Sequence, residues 1–558
     1  MVDGETQGEH TARRVPFAGL QPLAVPVLLV LAFGYVYTSA LYFNRTSTLS
    51  PTDDSLIGVR PAEMLWTTGK LTFNPDELVE ANSSFLYTLL AVPAFALFDR
   101  IGVVLYYLPF LNALFAVIGA VILFRLCTAM GAGRAWAWFA AVLMTAIPVT
   151  GFWAGSAMET SLNTLLELAL VLLAVRAVNE TATGKKQLCA TALVTALLIM
   201  TRPDGFLVPL CTAIYLGIAK GRWRAALTVF LAMAVMFAAL SAWRWWYYGQ
   251  PFPNPVYAKV AGNPADLIAG AWSLWGVTFI PGALWIVISP LAVTFAIECA
   301  RIVSAFATRR RADAFAGISL APWLAFAMTA YWFVHGGDGY KERQLLTLYP
   351  LGICAWVLLA HACWSKGLRE GVMVLPVLAI ALFTPLTTFP SYYDFRGSDP
   401  PAFNVMKRDL NIIEAMKRDY PNTKSIAADK LGFIAYLLGP EYRVDDMLGL
   451  ADVYLAHLPP KRSRSGALVH GHAKYDIEYT LNKKPGFIYM IIQTYPGLDH
   501  PYIDGLNRER LEKAGYRLAY LSSPHSFRCV DVRDAEDLDK YFRTNEYNLA
   551  VFVRTDAQ

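Results

Sequence analysis

The segment Leu23–Phe43, LAVPVLLVLAFGYVYTSALYF, decides the fold class because it carries no charged residue over the length of a bilayer. A transmembrane helix needs about 20 consecutive, mostly apolar residues. Arg13 and Arg14 precede the segment, as in a secretory signal peptide, but the apolar run is long for one and no small-residue cleavage site stands out. We therefore predict an uncleaved first transmembrane helix, with residues 1–22 as a cytoplasmic tail.

The composition of the whole chain agrees with this first segment. Of the 558 residues, 56% are hydrophobic and 16% are charged, whereas soluble proteins have about 45–50% and about 25%. The formal net charge of +5 is small for this length and indicates no nucleic-acid partner. The seven cysteines form no CxxC pair and no regular framework, so we expect neither a disulfide scaffold nor a zinc site.

Apolar segments recur along the first two thirds of the chain. Candidate spans lie at residues 23–43, 101–125, 135–152, 161–178, 187–200, 204–219, 225–247, 272–297, 315–335, 345–365 and 371–390. Basic residues mark cytoplasmic loops, and eleven spans put the five basic loops on that side; these loops lie at residues 125–134, 185–186, 220–224, 309–311 and 366–369. We predict a polytopic α-helical domain over residues 23–390, with a first outer loop at residues 44–100.

One apolar run in that outer loop does not fit the span count. Phe85–Phe98 has only about 14 residues, which suits an interfacial or re-entrant helix better than a span. Counting it as a span would also place the arginine triplet at residues 309–311 outside. We therefore expect it to lie on the outer face.

Residues 391–558 have ordinary composition and follow the last predicted span on the outer side. Short β-rich runs alternate there with helical patterns. The predicted strands are Ser425–Ala428, Gly486–Ile492, Arg517–Leu521 and Asn548–Arg554, and the predicted helices are Asn404–Arg418 and Gly505–Ala514. We expect a small extracytoplasmic α/β domain.

The predicted topology brings the unusual polar residues together on the outer face. They comprise carboxylates, cations, an amide and aromatic rings, namely Asp53, Asp54, Glu159, Asp204, Asp338, Arg202, Lys259, Arg343, Asn254, Tyr247, Tyr248, Phe252, Tyr257 and Tyr340. Carboxylates and rings suit sugars, while arginine and lysine suit phosphate. A site at a bilayer surface can also take a lipid-linked substrate. The face therefore predicts sugar transfer from a lipid phosphate to an external hydroxyl.

The adjacent acids Asp53 and Asp54 are the candidates for taking the acceptor proton. One of them can orient the acceptor while the other accepts the proton. The alternative is that the pair forms a solvated turn or a helix cap.

Glu167 lies inside the fourth predicted span, where we expect it to pair with Arg176 or a backbone donor. No carboxylate cage or histidine cluster demands a metal, although a divalent cation bridging phosphate and an acid stays open.

The order of these motifs resembles that of the GT-C glycosyltransferases. More narrowly, it is similar to the terminal arabinofuranosyltransferases of mycobacterial cell-wall assembly and their bacterial relatives. The resemblance spans nearly the whole chain and rests on Asp53-Asp54, Asn74-Pro75, Glu80, Ser83–Leu90, Met158–Thr160, Thr201–Gly205, Tyr247–Gly249, Pro253–Lys259, Gly336–Asp338 and Asp445–Asp452. The sequence departs from the family at Ser55–Arg60, where relatives often have Ala-Tyr and an aromatic-Arg segment, and again after Asp338.

The resemblance implies an inverting, polyprenyl-phosphate-dependent enzyme of the bacterial plasma membrane that acts on a glycan acceptor outside the membrane. It assigns the catalytic base to Asp53 or Asp54 and implies interfacial helices in the first outer loop. Candidate contacts to the donor phosphate are then Arg202, Lys259 and Arg343. Candidate substrate contacts are Glu159, Asp204, Asn254, Tyr257 and Asp338.

Arabinofuranose is the transferred sugar that the resemblance favours, and another pentose or a hexose is the alternative. A lipid-linked sugar flippase is a second class, which would need polar groups at mid-membrane and on both faces. The short, basic inner loops disfavour it. The third class is a non-catalytic sugar-binding or assembly protein, in which residues 391–558 would bind the glycan.

Overall fold

The computed structural model describes residues 21–47, 51–259, 264–279, 284–308, 315, 317–337, 340, 342–365, 402–462, 471–493, 497–522, 530–531 and 548–556. The first part of the chain is helical and the last part contains a six-stranded sheet. The predicted class, a helical membrane domain followed by an α/β domain, is confirmed. The eleventh predicted span, residues 371–390, lies outside the described residues.

The helices of the first part follow most of the predicted spans. Their bounds are α1 Gln21–Thr46, α2 Asp53–Thr68, α3 Phe85–Ala91, α4 Arg100–Ala129, α5 Arg134–Ala146, α6 Pro148–Gly155, α7 Thr160–Asn179, α8 Lys185–Thr201, α9 Leu207–Ala219, α10 Trp223–Tyr248, α11 Asn254–Lys259, α12 Pro264–Phe279, α13 Leu284–Val287, α14 Ser289–Ala307, α15 Leu320–Val334 and α16 Leu348–Ser365. Among the described residues, five helices (α1, α4, α7, α10 and α14) are long and apolar enough to cross a bilayer. Helices α5 and α6 form a sixth candidate, bent by 49°.

The predicted span at residues 272–297 is wrong. Helix α12 ends at Phe279, and α14 begins only at Ser289. Pro281 and Gly282 lie between them in sequence, and Pro290 occupies the first turn of α14, where proline is tolerated. The candidate span in this region is therefore α14, Ser289–Ala307.

The first outer loop contains two separate helical segments. The apolar run at residues 85–98 forms α3 and a 3₁₀ turn, Val92–Ala96, and is too short to span a bilayer, as expected. The acid pair, in contrast, opens the 16-residue helix α2. Thr52 caps this helix by accepting a hydrogen bond from the backbone N–H of Ser55 at 3.1 Å. Two acids in the first turn also suit the positive end of the helix dipole.

The outer domain is built on a mixed sheet in the order β2-β1-β3-β6-β4-β5. The strands are β1 Ser425–Ala428, β2 Arg443–Asp446, β3 Phe487–Ile492, β4 Tyr516–Ser522, β5 Val530–Asp531 and β6 Asn548–Arg554. The first three pair in parallel and the remaining pairs are antiparallel. Four strands were predicted from the sequence, whereas β2 and β5 were not. The helices are α17 Ala402–Asp419, α18 Leu431–Leu438, α19 Val453–Ala456, α20 Ile477–Asn482 and α21 Arg508–Lys513.

Alternation along β3 divides the outer domain into two cores. Phe487 and Tyr489 belong to an apolar cluster that continues into the membrane domain, while Ile488 and Met490 belong to a separate cluster on the other sheet face. Successive strand residues face opposite sides. One face of the sheet, covered by α17 and α18, is therefore continuous with the packing of the membrane helices.

Arg60 of α2 fixes the outer domain on the membrane domain. Its side chain is fully buried and donates hydrogen bonds to the carbonyls of Phe73 at 2.8 Å and Tyr442 at 2.7 Å. It also donates to the carbonyls of Ala435 and Gly439, at and just beyond the end of α18. Because a helix C-terminus presents unpaired carbonyls, a guanidinium there is favourable. Burial nevertheless lowers the pKa of Arg60 to about 10.

Candidate active site

Asp53 caps the opposite end of α18. Its two carboxylate oxygens accept hydrogen bonds from the backbone N–H groups of Gly432, at 3.0 Å, and Phe433, at 2.8 Å. Burial raises the pKa of Asp53 to about 6, although Lys430 and these two hydrogen bonds oppose the rise. Asp53 and Arg60 thus hold the two ends of one outer-domain helix, and Asp53 is not among the residues that line the polar cavity described next.

Asp54 has a different environment. Its Oδ2 forms an ion pair with Lys259 Nζ at 3.0 Å, and both side chains remain partly exposed. Lys259 is the last residue of the short helix α11. A carboxylate from α2 and an ammonium from the segment after α10 therefore meet, two residues that the sequence analysis expected on one face.

A small polar cavity, the outer cavity, lies beside this ion pair and encloses about 50 Å³. Four of its lining side chains are charged and were all predicted from the sequence: Asp54, Glu159, Lys259 and Arg343. The remaining lining residues are Ser55, Ile57, Gly58, Ala81, Asn82, Ser83, Ser84, Tyr87, Thr88, Ala157, Met158, Pro255 and Leu450. The cavity combines a proton acceptor, two cations and several hydroxyl groups.

Arg343 contacts an aromatic ring and a sulfur atom. Its guanidinium lies over the ring of Tyr340, 5.4 Å from the ring centre, and its Nη1 is 3.7 Å from the sulfur of Met158. A guanidinium on the lining of the cavity is suited to binding a phosphate oxygen.

Arg202 is enclosed by carboxylates below the outer cavity. It binds Glu159 at 2.9 Å and forms two hydrogen bonds to Asp204, at 2.7 and 3.0 Å. Burial disfavours the charged form of Asp204, but Arg202 outweighs this effect and holds the pKa of Asp204 below its ordinary value. Arg202, which was predicted to contact the donor, therefore holds Glu159 by an ion pair instead. Glu159 lines the outer cavity, whereas Arg202 and Asp204 do not.

Two residues that were predicted to contact the substrate instead contact the outer domain. Asn254 is buried, and its amide donates to the carbonyls of Gly449, Leu450 and Asp452 in the outer domain at 2.8–3.1 Å. The Tyr257 ring lies against His457, 4.5 Å between ring centres. Asp338, the fifth predicted substrate contact, lies outside the described residues.

Glu80 and Ser83–Leu90 were quoted only as part of the family pattern and Asn82 was not singled out, yet residues 81–84 supply one wall of the outer cavity. Asn82 Oδ1 and Ser84 Oγ are buried there and have no hydrogen-bond partner within the described part of the chain. Buried polar atoms normally have a partner, and orphaned ones indicate a water or ligand. Glu80 anchors the segment through two hydrogen bonds from Arg244, at 2.7 and 3.0 Å.

The intramembrane acid Glu167 has a structural partner. It accepts a hydrogen bond from Asn163 Nδ2 at 2.9 Å, one turn earlier in α7. The suggested pairing with Arg176 is absent from the ion pairs of the described residues. Glu298, which the sequence analysis did not single out, similarly accepts from Ser319 N and Trp323 Nε1 at 2.9 and 2.8 Å.

The described residues contain no group of three or more histidine, cysteine, aspartate or glutamate side chains placed to hold a metal ion. Near the outer cavity, the carboxylates instead face cations, since Asp54 pairs with Lys259 and Glu159 with Arg202. These four side chains do not form a ready-made cation site.

Comparison with known proteins places the fold in a defined class. No protein-family model matches the chain, and no curated protein sequence matches it. Among solved structures, the apo form of ArnT from Cupriavidus metallidurans matches with a TM-score of 0.52 at 10% identity, over 95% of this chain and 98% of that one. The chain therefore has the fold of the GT-C membrane proteins, to which ArnT belongs.

Two further structures give similar but weaker matches. The archaeal oligosaccharyltransferase AglB from Archaeoglobus fulgidus, solved with an inhibitory peptide and a dolichol-phosphate, gives a TM-score of 0.49 at 12% identity, over 94% of this chain and 76% of that one. ArnT bound to undecaprenyl phosphate gives 0.46 at 13% identity, over 75% and 86%.

Proposed function

We propose that this protein is an inverting glycosyltransferase that moves a sugar from a polyprenyl-phosphate donor to a hydroxyl of an extracytoplasmic glycan or glycoconjugate. The observation that carries the proposal is the outer cavity, where Asp54 lies beside Lys259, with Glu159 and Arg343 on the same lining. One carboxylate base and two cations are the groups that such a transfer needs.

The reaction would proceed as a single displacement. The acceptor oxygen attacks the anomeric carbon, the bond from that carbon to the phosphate oxygen breaks, and the acceptor proton passes to Asp54. The leaving polyprenyl phosphate takes the bond electrons, and Lys259 and Arg343 stabilise its charge. Because attack and departure occur on opposite faces of the sugar, the anomeric configuration inverts.

The orphaned polar atoms of Asn82 and Ser84 suit sugar hydroxyls. Ser84 Oγ can donate or accept, and Asn82 Oδ1 can accept. Glu159, held by Arg202 at 2.9 Å, offers a further acceptor on the same lining. We assign Asn82, Ser84 and Glu159 to the sugar, and Lys259 and Arg343 to the phosphate.

The donor class is supported by the fold, because ArnT was solved both in the apo state and with undecaprenyl phosphate. The resemblance in motif order to the terminal arabinofuranosyltransferases favours arabinofuranose as the sugar. Another pentose or a hexose remains the alternative, since Ser55–Arg60 and the segment after Asp338 depart from that pattern. We place the reaction on the outer face of the bacterial plasma membrane.

Mass spectrometry of polyprenyl-linked sugars in a deletion strain tests this function and identifies the donor. We expect one polyprenyl-phosphate sugar to accumulate and to return to its normal level when the wild-type gene is restored. Restoration with Asp54→Asn should leave it accumulated, provided that immunoblotting shows equal protein. Unchanged lipid-linked sugars, together with no transfer in isolated membranes, would overturn the proposal.

A further inference from the structure

The segment Asp445–Asp452 resembles a family motif, but none of its polar side chains lines the outer cavity. Its apolar residue Leu450 does, and it is the one lining residue among those described that comes from the outer domain. The segment leaves β2 and leads into α19. The motif therefore contributes to the outer cavity through the position in which its backbone holds Leu450.

Hydrogen bonds within the segment fix that shape. The Asp446 carboxylate accepts from the backbone N–H groups of Leu448 at 2.7 Å and Ala451 at 2.6 Å, so it bridges the turn that carries Leu450. Asp452 caps α19 by accepting from Leu455 N at 2.9 Å and pairs with Lys483 at 2.6 Å. Asp446 and Asp452 therefore both hold the backbone of this loop.

Gly449 lies where the loop passes from the core of the outer domain to the apolar cluster that continues into the membrane domain. Its φ of +86° lies in the left-handed region, and an added Cβ would be 2.9 Å from the backbone N of Ala456. Before it, Met447 and Leu448 belong to the outer-domain core. After it, Leu450 packs against the cluster that continues into the membrane domain.

The loop is tied to the segment that carries the catalytic ion pair. Asn254, the first residue of α11, holds three of the loop's carbonyls, and Lys259 is the last residue of the same short helix. Lys474 of the outer domain adds hydrogen bonds to the carbonyls of Tyr257 at 2.7 Å and Ala456 at 2.8 Å. Leu450 and Lys259 are thus fixed in one assembly.

We propose that Leu450 is a specificity-determining residue: it forms the apolar wall against which the C–H face of the transferred sugar packs, so the outer domain selects the donor. The inference rests on the function proposed above. The cavity volume of about 50 Å³ has room for a few waters and not for a sugar ring. Side chains of the lining must therefore move when a donor enters, while the held backbone of the loop keeps Leu450 in place and its side-chain volume limits which sugar is accepted.

Transfer assays in membranes, with polyprenyl-phosphate pentose and hexose as matched donors, test this inference. Leu450→Ala should reduce the preference between the two donors about tenfold, because one larger or smaller apolar contact changes selectivity by about 10–200-fold. Leu450→Trp should lower kcat/KM for the preferred donor at least tenfold, chiefly through KM. Tyr454→Ala, an exposed position on α19 away from the lining, is the matched control and should keep the wild-type donor ratio.

A measurement independent of turnover separates this inference from the proposed function. Photocrosslinking from p-benzoylphenylalanine at position 450 should capture the preferred polyprenyl-phosphate sugar in the absence of acceptor, whereas the same group at position 454 should not. A wild-type donor ratio in both Leu450 variants, or equal capture at the two positions, would refute the role of Leu450. Absence of transfer by the wild-type protein with either donor would instead refute the proposed function.

Discussion

Asp53 and Asp54 are neighbours in sequence and on the first turn of α2, yet they face different partners. Asp53 accepts hydrogen bonds from two backbone N–H groups of the outer domain, whereas Asp54 forms an ion pair with Lys259 of the membrane domain. Successive residues on a helix point about 100° apart. The first turn of α2 can therefore place Asp53 at the contact with the outer domain and Asp54 at the outer cavity. Two adjacent acids can thus have separate roles.

The sharpest test of this difference is the Asp54→Asn variant compared with Asp53→Asn. Removing the general base from Asp54 should lower kcat about 10²–10⁴-fold, with little change in Tm. Asp53→Asn should retain most activity, because its carboxylate faces α18. Assays in membranes together with thermal unfolding in detergent measure both properties, and equal loss of kcat in the two variants would contradict the division of roles.

Lys259→Met extends the comparison to the cation that faces Asp54. The ammonium is lost while the chain length is kept, so the donor phosphate loses one stabilising charge. We expect kcat/KM to fall about 10–100-fold, somewhat less than for Asp54→Asn, since Arg343 remains. Lys70→Met changes an exposed lysine just after α2 that does not line the outer cavity, and it is the control, which should behave as wild type.

Gly432→Ala perturbs the Asp53 side of the comparison. An added Cβ would come within 1.9 Å of the Asp53 carbonyl oxygen, which is backbone and cannot swing aside. We expect a loss of about 1–3 kcal/mol in the free energy of unfolding, as for overpacked sites, and a lower Tm. Gly34→Ala, in α1 with no atom within 4 Å of the new Cβ, is the control. An unchanged Tm in Gly432→Ala would show that the junction at α18 is loose.

The sequence predicted the helical class, the positions of most described helices of the first part and four of the six strands, because hydropathy and alternation are local signals. It failed at residues 272–297, where the sequence stays apolar although α12 ends at Phe279 and α14 begins only at Ser289. The charged members of the outer cavity were also predictable, since topology alone gathered Asp54, Glu159 and Lys259 on one face.

The roles of individual residues within that face were not predictable. Nothing local distinguishes Asp53 from Asp54, because their partners, Gly432 and Lys259, lie 379 and 205 positions away. Asn254 likewise looked like a substrate contact, and only its distant carbonyl partners reveal a role at the junction. Long-range partners decide these assignments, and a single sequence does not contain them.

The smallest expected effect is a pH dependence of stability from Asp53. Its pKa in the folded protein is about 6, above the ordinary value of 3.8, so between these values the folded state binds more protons than the unfolded state. Stability should therefore fall as pH rises from about 4 to about 6 and level off above that range, by on the order of 1 kcal/mol. Thermal unfolding at pH 4.5 and pH 7.5 measures this slope. Asp53→Asn should reduce it while Asp54→Asn should not, and identical slopes in all three proteins would mean that Asp53 does not titrate in this window.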